Sequence, residues 1–552
     1  MRVVIVGGVA AGMSAATRLR RLDEHAEIVV LERGEHVSFA NCGLPYHVGG
    51  VIESRDALLL QSPEALHSRF GIDVRTLAEA VRIDRASRVV EVRDLRSGQL
   101  ESLPYDRLVL ATGAEGLEPL PGDGTPVREL RTIDDMDAII RVLDAAPAGA
   151  RVVVVGGGFI GLEATENLVR RGQSVMLVTR GDRPMTRLDP ELAEHLSDAL
   201  GRHGVDLRVR TSVSAVGEGS VELDDGTTVA AALVVDARGV RPSTRLAELA
   251  GLALGPSGGV ATDEQHRTSD PAILAVGDVA EQRDAIDGTA SLMALAGLAN
   301  RGGREAADAI AGRPGTRLAA LGTAIVQVFD RTAVMVGWNE TTARASGIEP
   351  RVIHTHPSHH AGYYPGAEQM SMKLVVDPAD DRILGAQIVG GDGVDRRIDI
   401  IAVAMRVGLP ASALTGLELA YSPQFGAAKD PVNTLGMVAE NRASGLATAV
   451  QWHELEAAMD AGATLVDVRT SPEHERSSIP GALSIPLDEL RGRLDELSGR
   501  DVVVHCQVGQ RGHVAQRILA QHGIAARNLD GGWLTWQAGD RARTRALEME
   551  HA

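Results

Sequence analysis

Two apolar runs that end in glycine-rich turns constrain the fold of this chain more than any other feature. Val3–Val6 leads into one turn and Arg151–Val155 into the other, and a helical pattern follows each turn. The residues concerned are Gly7, Gly8 and Gly12 at the first turn and Gly156, Gly158, Gly161 and Glu163 at the second turn. Such glycines let the backbone approach a pyrophosphate at a helix N-terminus. The two turns therefore predict two dinucleotide-binding folds, one inserted into the other.

The residues after the second strand of each fold indicate which dinucleotide it binds. Glu32 follows the run Ile28–Leu31, where an acid binds a ribose hydroxyl, and Arg33 is a further candidate contact. The second fold has Thr179 and Arg180 at this place, which favours a 2′-phosphate and hence NADPH. The alternative is that Arg180 is a solvated loop residue and that both NADH and NADPH are used.

Composition excludes several other classes of protein. A chain of 552 residues, 44% hydrophobic and 24% charged, predicts several globular domains, and its net charge of -18 disfavours nucleic acid as the main partner. The opening strand is too short for a signal peptide, and no segment reads as membrane-spanning. The two cysteines, Cys42 and Cys506, lie far apart, which favours reactive thiols and a cytoplasmic location. Only Lys373 and Lys429 are lysines among 56 basic residues, so each merits attention.

Two further apolar strands end in glycine turns. They are Leu110–Ala114, which contains Thr112 and Gly113, and Ile273–Val279, which contains Gly277 and Asp278. These stretches resemble the later signatures of flavoprotein reductases that contain two dinucleotide folds. The resemblance implies that the first fold binds FAD, that Asp278 contacts the flavin ribityl chain, and that the second fold binds NAD(P)H.

The pattern changes at about residue 322. Alternating strands such as Thr323–Phe329 and Met372–Val376 follow, with a helical stretch at Ile398–Val407. In the resemblance this region is a dimerisation domain, which implies a homodimer. Arg442–Gly445 predicts a linker, and a compact α/β unit follows it.

The stretch Ser38–Tyr46 contains Cys42 and no second cysteine four or five residues away. An intrachain redox disulfide is therefore impossible here, and this thiol can form only a mixed disulfide, a persulfide or a sulfenic acid. The S-F-x-N-C-x-L-P-Y run resembles the coenzyme A disulfide reductases and the single-cysteine NADH oxidases and peroxidases. That resemblance covers about residues 1 to 440.

The same resemblance implies a set of side chains that bind coenzyme A. They are Ser14, Arg18, Arg21, Ser38 and Asn41. Arginines suit the phosphates of this substrate, and Arg18 and Arg21 share a helix face. Either arginine could instead be merely solvated. Asn300-Arg301 stands where the family has a substrate-binding histidine, so that contact is not expected.

Tyr421 and Lys429 lie in a segment that resembles the family's Tyr-x-Pro stretch ending in a lysine. The resemblance implies that the tyrosine reaches across the dimer to the flavin site and that Lys429 contacts coenzyme A. Tyr363 resembles a second active-site tyrosine, able to donate a proton to a leaving thiolate, with Tyr364 as the alternative.

The second thiol, Cys506, ends the buried run Val502–His505 and opens a C-x-x-G-x-R loop that leads into a helix. Backbone N–H groups in such a loop stabilise a thiolate or persulfide, and Arg511 adds positive charge at the rim. Together with Asp467, Ser478–Ala482 and the Asp530-Gly531-Gly532-Trp533 run, the loop resembles a rhodanese domain over about residues 448 to 540. The alternative is a purely structural module.

Four histidines invite a metal-site hypothesis. They are His354, His356, His359 and His360. No Cys, Asp or Glu completes the set at a familiar spacing, so we expect no metal.

Together these patterns predict an α/β chain with two Rossmann-like domains, an α+β dimerisation domain and a C-terminal α/β rhodanese domain. The expected boundaries are 1–120 with 242–320 for FAD, 121–241 for NAD(P)H, 321–440 for dimerisation, 441–447 for a linker and 448–545 for rhodanese. The expected activity is FAD- and NAD(P)H-dependent reduction of coenzyme A disulfide, coenzyme A persulfide or polysulfide through Cys42, with Cys506 handling sulfane sulfur. The alternatives are an NAD(P)H oxidase or peroxidase that cycles a sulfenic acid, and a redox sensor or sulfur carrier.

Overall fold

The computed structural model describes residues 1–313, 315 and 317–548. Positions 314 and 316 of the span predicted to bind FAD therefore lie outside the described residues. The chain packs into two compact units: Met1–Leu177 with Ser212–Gly322, and Val178–Thr211 with the chain from Thr323 onward. Each unit is described by itself.

The first unit contains a five-stranded parallel sheet. Its strands, in spatial order, are Ile273–Ala275, Arg107–Leu110, Arg2–Val6, Glu27–Glu32 and Asp73–Thr76. Alternate residues of the central strand enter opposite cores: Val4 and Val6 pack into one, while Val3 and Ile5 pack into the other. Burial on both faces explains the continuous apolar runs in the sequence. Helices Ala10–Leu22 and Ala296–Ile310 pack together closely enough that a Cβ on Gly303 would lie 2.1 Å from the Ala11 carbonyl oxygen.

A second parallel sheet of this unit carries the other glycine turn. Its strands, in spatial order, are Ser174–Val178, Arg151–Val155, Leu233–Asp236 and Val127–Arg128. Its helices are Ile133–Ala145 and Phe159–Arg170. Thr132 and Asp135 form a capping box that begins the first of these helices.

Smaller elements complete the first unit. Two three-stranded sheets comprise Ala78–Asp84, Val89–Asp94 and Leu100–Pro104, and Val213–Gly217, Ser220–Leu223 and Thr228–Ala230. Two-stranded pairs are Ala114–Gly116 with Val240–Pro242, and Gln282–Arg283 with Ala290–Ser291. The short helices are Leu44–Val48, Pro63–Phe70 and Arg245–Leu249.

The second unit contains a five-stranded antiparallel sheet. Its strands, in spatial order, are Ala324–Val328, Arg331–Gly337, Ile383–Gly390, Ser371–Val376 and Arg351–Thr355, so the last lies at an edge. The helices around it are Pro190–Arg202, Glu340–Ala345, Val394–Arg406 and Pro431–Ala443, and a short strand spans Asp206–Arg208. The helix predicted at Ile398–Val407 begins four residues earlier, at Val394.

The C-terminal part of the second unit is a parallel sheet flanked by helices. Its strands, in spatial order, are Ala449–Val450, Ala526–Leu529, Val502–His505, Thr464–Asp467 and Leu483–Ser484. Its helices are Leu455–Asp460, Ser471–Arg476, Gln510–Gln521 and Gly532–Glu548. Val502 and Val504 face one apolar core and Val503 faces another, as expected for a central parallel strand.

The predicted fold class is confirmed, and the predicted domain boundaries stay predictions. The first residues of the linker expected at 441–447 are helical. Helix Pro431–Ala443 begins at an Asp430 capping box and ends at Ser444, so it extends into the expected linker. Residues 178–211, expected within the NAD(P)H domain, pack in the second unit. Among the described residues, no helix is both long and apolar enough to cross a membrane.

Candidate active sites

The first glycine turn joins strand Arg2–Val6 to helix Ala10–Leu22. Gly7 has a φ of +109°, and a Cβ on it would lie 2.1 Å from the Ala111 carbonyl oxygen. A Cβ on Gly12 would lie 1.9 Å from the Gly7 carbonyl oxygen. Both glycines are therefore required by the tight approach of strand, turn and helix.

Glu32 lies beside this turn, at the end of its strand. Its carboxylate accepts hydrogen bonds from the amides of Gly8 and Gly34, each at 2.8 Å. Arg33 next to it is exposed. The acid is thus held at the strand end where a ribose hydroxyl binds in dinucleotide folds.

The second glycine turn joins Arg151–Val155 to Phe159–Arg170. Gly156 has a φ of +117°, and a Cβ on Gly161 would lie 1.8 Å from the Gly156 carbonyl oxygen. A Cβ on Gly158 would meet nothing within 4 Å. The first and third glycines are needed by the fold, whereas the middle one borders open space that a pyrophosphate can fill.

The two later signatures also lie in the first unit. Thr112 donates a hydrogen bond of 2.9 Å to the Ser243 carbonyl oxygen, and Gly113 and Gly277 have φ values of +67° and +76°. Burial raises the pKa of Asp278, opposed only in part by Arg131. A half-buried carboxylate beside a glycine turn suits a ligand hydroxyl as its hydrogen-bond partner.

Cys42 lies in the short helical turn Asn41–Gly43 and is exposed. Its Sγ lies 3.6 Å from Asn41 Oδ1, which also accepts a 3.0 Å hydrogen bond from the Cys42 amide. Partial burial of the sulfur, followed by the negative charges of Glu163 and Asp278, raises the pKa of this thiol. The chain alone therefore favours the protonated thiol.

Tyr46 and Glu163 form a pair beside this thiol that sequence reasoning missed. The Tyr46 hydroxyl donates a 3.1 Å hydrogen bond to Glu163 Oε1. Burial raises the pKa of both groups, and the charge of Glu166 raises that of Glu163 further. Tyr46 belongs to the cysteine motif and Glu163 to the second glycine motif, but no pattern in the sequence links them.

Two of the three candidate coenzyme A side chains on the first helix contact helix Ala296–Ile310. Ser14 donates a 2.8 Å hydrogen bond to the Asn300 carbonyl oxygen, and Arg18 pairs with Asp308 at 2.7 Å. Arg21 is exposed. Asn300, at the position where a histidine was expected, thus contributes a backbone acceptor.

Ser38 and Arg180 occupy different environments. Ser38 has a φ of +50°, and its amide donates a 2.8 Å hydrogen bond to the Gly8 carbonyl oxygen. This bond ties the cysteine segment to the first glycine turn. Arg180 is exposed, while the neighbouring Thr179 is buried.

Tyr363 and Tyr421 meet in the second unit. Their hydroxyl groups lie 3.0 Å apart, and the residues are 77% and 48% exposed. Tyr364 instead packs edge-on against His360, with ring centroids 5.5 Å apart, which favours Tyr363 as the available hydroxyl. Lys429 is exposed.

Arg397 holds together the two segments that carry these tyrosines. Its guanidinium is 1% exposed and donates to the His359 carbonyl oxygen at 2.7 Å and to Asp430 Oδ2 at 3.0 Å. The Ala361 amide also donates to the Gly426 carbonyl oxygen at 2.9 Å. Buried hydrogen bonds therefore fix the two segments that carry Tyr363 and Tyr421 relative to each other.

The four histidines do not converge on a common point. His354 contacts the carboxylates of Glu191 and Asp530, whereas His356 contacts the hydroxyls of Ser371 and Thr535. Among the described residues, the groups close enough to share an ion are Glu35 with His36 and Asp134, and Asp189 with Glu191 and Glu340. Neither group contains any of the four histidines.

Cys506 lies between strand Val502–His505 and helix Gln510–Gln521 and is completely buried. Within the part of the chain that the structure describes, the amides of residues 507–512 have no backbone or side-chain acceptor. Arg511 contacts the thiol and makes two bonds of 2.7 and 2.8 Å to Glu473. The loop can therefore surround an anionic sulfur with N–H donors.

Carboxylates anchor the surroundings of Cys506. Arg511 is the main cause that lowers the pKa of Glu473 to about 2, and Glu473 also closes the capping box of Thr470. Asp467 is wholly buried and pairs with Arg469 at 2.7 Å and His474 at 2.9 Å. Sequence reasoning missed Glu473, although its place three residues after Thr470 matches the capping-box spacing.

Comparisons with known proteins match three stretches of this chain. The family model for pyridine nucleotide-disulphide oxidoreductases matches residues 1–303, that for their dimerisation domain matches 323–431, and that for rhodanese-like domains matches 451–539. The coenzyme A disulfide reductase of Staphylococcus haemolyticus is 31% identical over 441 residues, which is 80% of this chain and 99% of that protein.

Two solved structures match nearly the full length. Reduced CoADR-RHD of Bacillus anthracis is 40% identical with a TM-score of 0.96, covering 98% of both chains. An NAD-dependent persulfide reductase from A. fulgidus is 35% identical with a TM-score of 0.91, covering 97% of this chain and 100% of that one.

Proposed function

This chain belongs to the pyridine nucleotide-disulphide oxidoreductase family and carries a rhodanese-like domain, and from that premise we propose a two-thiol enzyme of sulfur reduction. Cys42 reduces the sulfur–sulfur bond of coenzyme A disulfide, coenzyme A persulfide or polysulfide. Cys506 transfers sulfane sulfur. The observation that carries the proposal is the pairing of one exposed thiol in the oxidoreductase part with one buried thiol in an N–H-lined loop.

The cofactors of this fold are FAD and NAD(P)H, which supply an electron pair when bound. The open space at Gly158 and the turn from Gly7 to Gly12 fit their pyrophosphates, and Glu32 and Asp278 fit their hydroxyl groups. Exposed Arg180 is proposed to favour a 2′-phosphate.

The Cys42 thiolate attacks the sulfur attached to coenzyme A. With coenzyme A disulfide it forms a Cys42–S–S–CoA mixed disulfide and expels one coenzyme A thiolate, and with coenzyme A persulfide it expels hydrosulfide. Two electrons then cleave the mixed disulfide to the Cys42 thiolate and a coenzyme A thiolate. Each turnover on the persulfide consumes one NAD(P)H and one proton and yields sulfide and free coenzyme A.

Several side chains are proposed to bind the substrate and supply the proton. Asn41 orients the Cys42 sulfur. The phosphates and pantetheine of coenzyme A are assigned to Ser14, Arg18, Arg21, Ser38 and Lys429. The Tyr363–Tyr421 pair is assigned proton donation to the leaving thiolate, since two linked hydroxyls can pass a proton. The family's dimerisation domain supports a homodimer.

Cys506 attacks the terminal sulfane sulfur of a polysulfide, becomes a persulfide and releases the shortened polysulfide anion. A coenzyme A thiolate then takes this sulfur, which regenerates the Cys506 thiolate and forms coenzyme A persulfide. Fusion of the two domains raises the effective concentration of this product at Cys42. The N–H groups of residues 507–512 stabilise the Cys506 persulfide anion.

The test is anaerobic NAD(P)H oxidation by the flavin-loaded chain with coenzyme A persulfide, polysulfide and coenzyme A disulfide as parallel substrates. We expect Cys42→Ser to abolish sulfide release and Cys506→Ser to impair only polysulfide use, because each thiol performs one step. Full activity of Cys42→Ser contradicts the proposal. Faster turnover with oxygen or peroxide than with any sulfur substrate indicates an oxidase or peroxidase instead.

A further inference from the structure

A row of polar side chains crosses the antiparallel sheet of the second unit. His354 pairs in register with Lys373, and Lys373 pairs with Gln387 on the next strand. Residues paired in this way point to the same face of a sheet. All three are nearly or completely buried. A row of buried polar groups needs partners, since each unpaired group costs stability.

Lys373, one of the chain's two lysines, is fully buried at the centre of this row. Its ammonium contacts Asp189 at 2.8 Å and Glu191 and Glu340 at 2.6 Å each. Burial alone lowers the pKa of Lys373, but these carboxylates outweigh it and raise the pKa. The ammonium therefore fixes Glu191 in place beside the edge strand.

His354 connects this cluster to the rhodanese-like domain. Its Nε2 lies 2.9 Å from Glu191 Oε1, and its Nδ1 lies 2.7 Å from Asp530 Oδ2. Ionised carboxylates only accept hydrogen bonds, so both ring nitrogens must carry a proton. Although burial alone lowers the pKa of His354, the two carboxylates raise it to about 9. An imidazolium thus bridges the two domains at neutral pH.

Asp530 links His354 to the loop of Cys506. Its Oδ2 also accepts from the His354 amide at 2.9 Å. Gly531 and Gly532 follow it with φ values of +67° and +64°, and the Trp533 amide donates to the Cys506 carbonyl oxygen at 2.8 Å. A Cβ on Gly532 would lie 2.5 Å from that oxygen. The turn after Asp530 therefore packs directly on the backbone of the reactive cysteine.

We propose that His354 is a positioning residue for Cys506: through Asp530 it holds the Gly531–Trp533 turn and hence the loop that binds sulfane sulfur. The sulfur-transfer site then depends on the oxidoreductase part of the same chain. The effect on turnover rests on the proposed function of Cys506, whereas the effect on the thiol itself does not.

The first experiment compares His354→Gln and Asp530→Asn with the wild-type, flavin-loaded full chain. Sulfur transfer from thiosulfate to cyanide gives kcat and KM, and NAD(P)H oxidation with coenzyme A disulfide reports on Cys42. We expect kcat for sulfur transfer to fall about tenfold with KM for thiosulfate little changed, because a displaced nucleophile loses alignment and keeps binding. NAD(P)H oxidation should be unchanged.

Glu340→Gln is the matched control. Glu340 contacts Lys373 at 2.6 Å, and among the described residues no hydrogen bond or ion pair links it to His354 or Asp530, so its substitution perturbs the same buried cluster without removing a contact of Asp530. We expect a lower melting temperature and an unchanged sulfur-transfer kcat. If this variant lowers kcat as much as His354→Gln does, the effect is a general loss of stability and the proposal is wrong.

The second experiment needs no turnover. In a Cys42→Ser background Cys506 is the one remaining thiol, so the rate of its alkylation by iodoacetamide at a fixed pH follows the loop alone. We expect His354→Gln and Asp530→Asn to raise this rate, because a loosened loop no longer buries the thiol completely. Wild-type rates in both variants overturn the positioning role. If the wild type transfers no sulfur, the proposed function of Cys506 fails, and the alkylation rates alone decide the role of His354.

Discussion

Cys42 and Cys506 are the same side chain in opposite surroundings. Cys42 is exposed, and the charges that act on it are the carboxylates of Glu163 and Asp278. Cys506 is buried against the Arg511 guanidinium. An open thiol beside acids suits a bulky substrate and a protonated resting state, whereas a buried thiol beside a cation suits an anionic persulfide.

The largest expected difference between the two surroundings is in stability. Asp467→Asn removes the charge that neutralises buried Arg469, so the free energy of unfolding should fall by about 3 kcal/mol. Urea unfolding followed by tryptophan fluorescence measures this, because Trp452, Trp533 and Trp536 lie in the rhodanese-like domain.

Glu163→Gln is the corresponding change beside Cys42. Burial and Glu166 already disfavour ionised Glu163, so this variant should unfold no more easily than the wild type. If Asp467→Asn and Glu163→Gln lower the free energy of unfolding equally, the ionised form of Asp467 is no more stabilised by its surroundings than that of Glu163, which contradicts the comparison.

The next effect concerns sulfur transfer. Arg511→Ala should lower its rate about a hundredfold, because one cation that stabilises the anionic sulfur is lost. Arg511→Lys should recover only part of the rate, since a lysine cannot make both bonds to Glu473. Reduction of coenzyme A disulfide is the internal control, and a parallel loss there would contradict the separation of the two sites.

The smallest effect is on Cys42 itself. Glu163→Gln removes a negative charge that raises the pKa of this thiol, so the pKa should fall. Alkylation of Cys42 against pH, in a Cys506→Ser background, should then show a lower midpoint. Glu340→Gln in the other unit should leave it unchanged, and a midpoint that rises for Glu163→Gln would reverse the electrostatic assignment.

Local patterns carried most of what the sequence could predict. Both glycine turns, the strands around them and the two cysteine loops depend on residues close together in the chain, and the fold class is confirmed. Rare lysines were also informative, since Lys373 proved to be fully buried.

Long-range pairs could not be predicted in this way. Tyr46 and Glu163 are 117 positions apart, and Lys373 and Glu191 are 182 apart. Arg18 was expected to bind phosphate, and its ion pair with Asp308 has no local signal either.

The edge strand Arg351–Thr355 has a further consequence for how such proteins are handled. Its outward groups are satisfied from the C-terminal domain: the His354 amide donates to Asp530, and the Val352 carbonyl oxygen accepts from Gln451. A chain cut after residue 445 would leave this edge bare, and a bare edge recruits strands from other molecules. The C-terminal domain therefore also protects the protein from aggregation through this edge. When the reductase part is expressed separately, an outward-facing residue of strand Arg351–Thr355 should first be replaced by a charged residue.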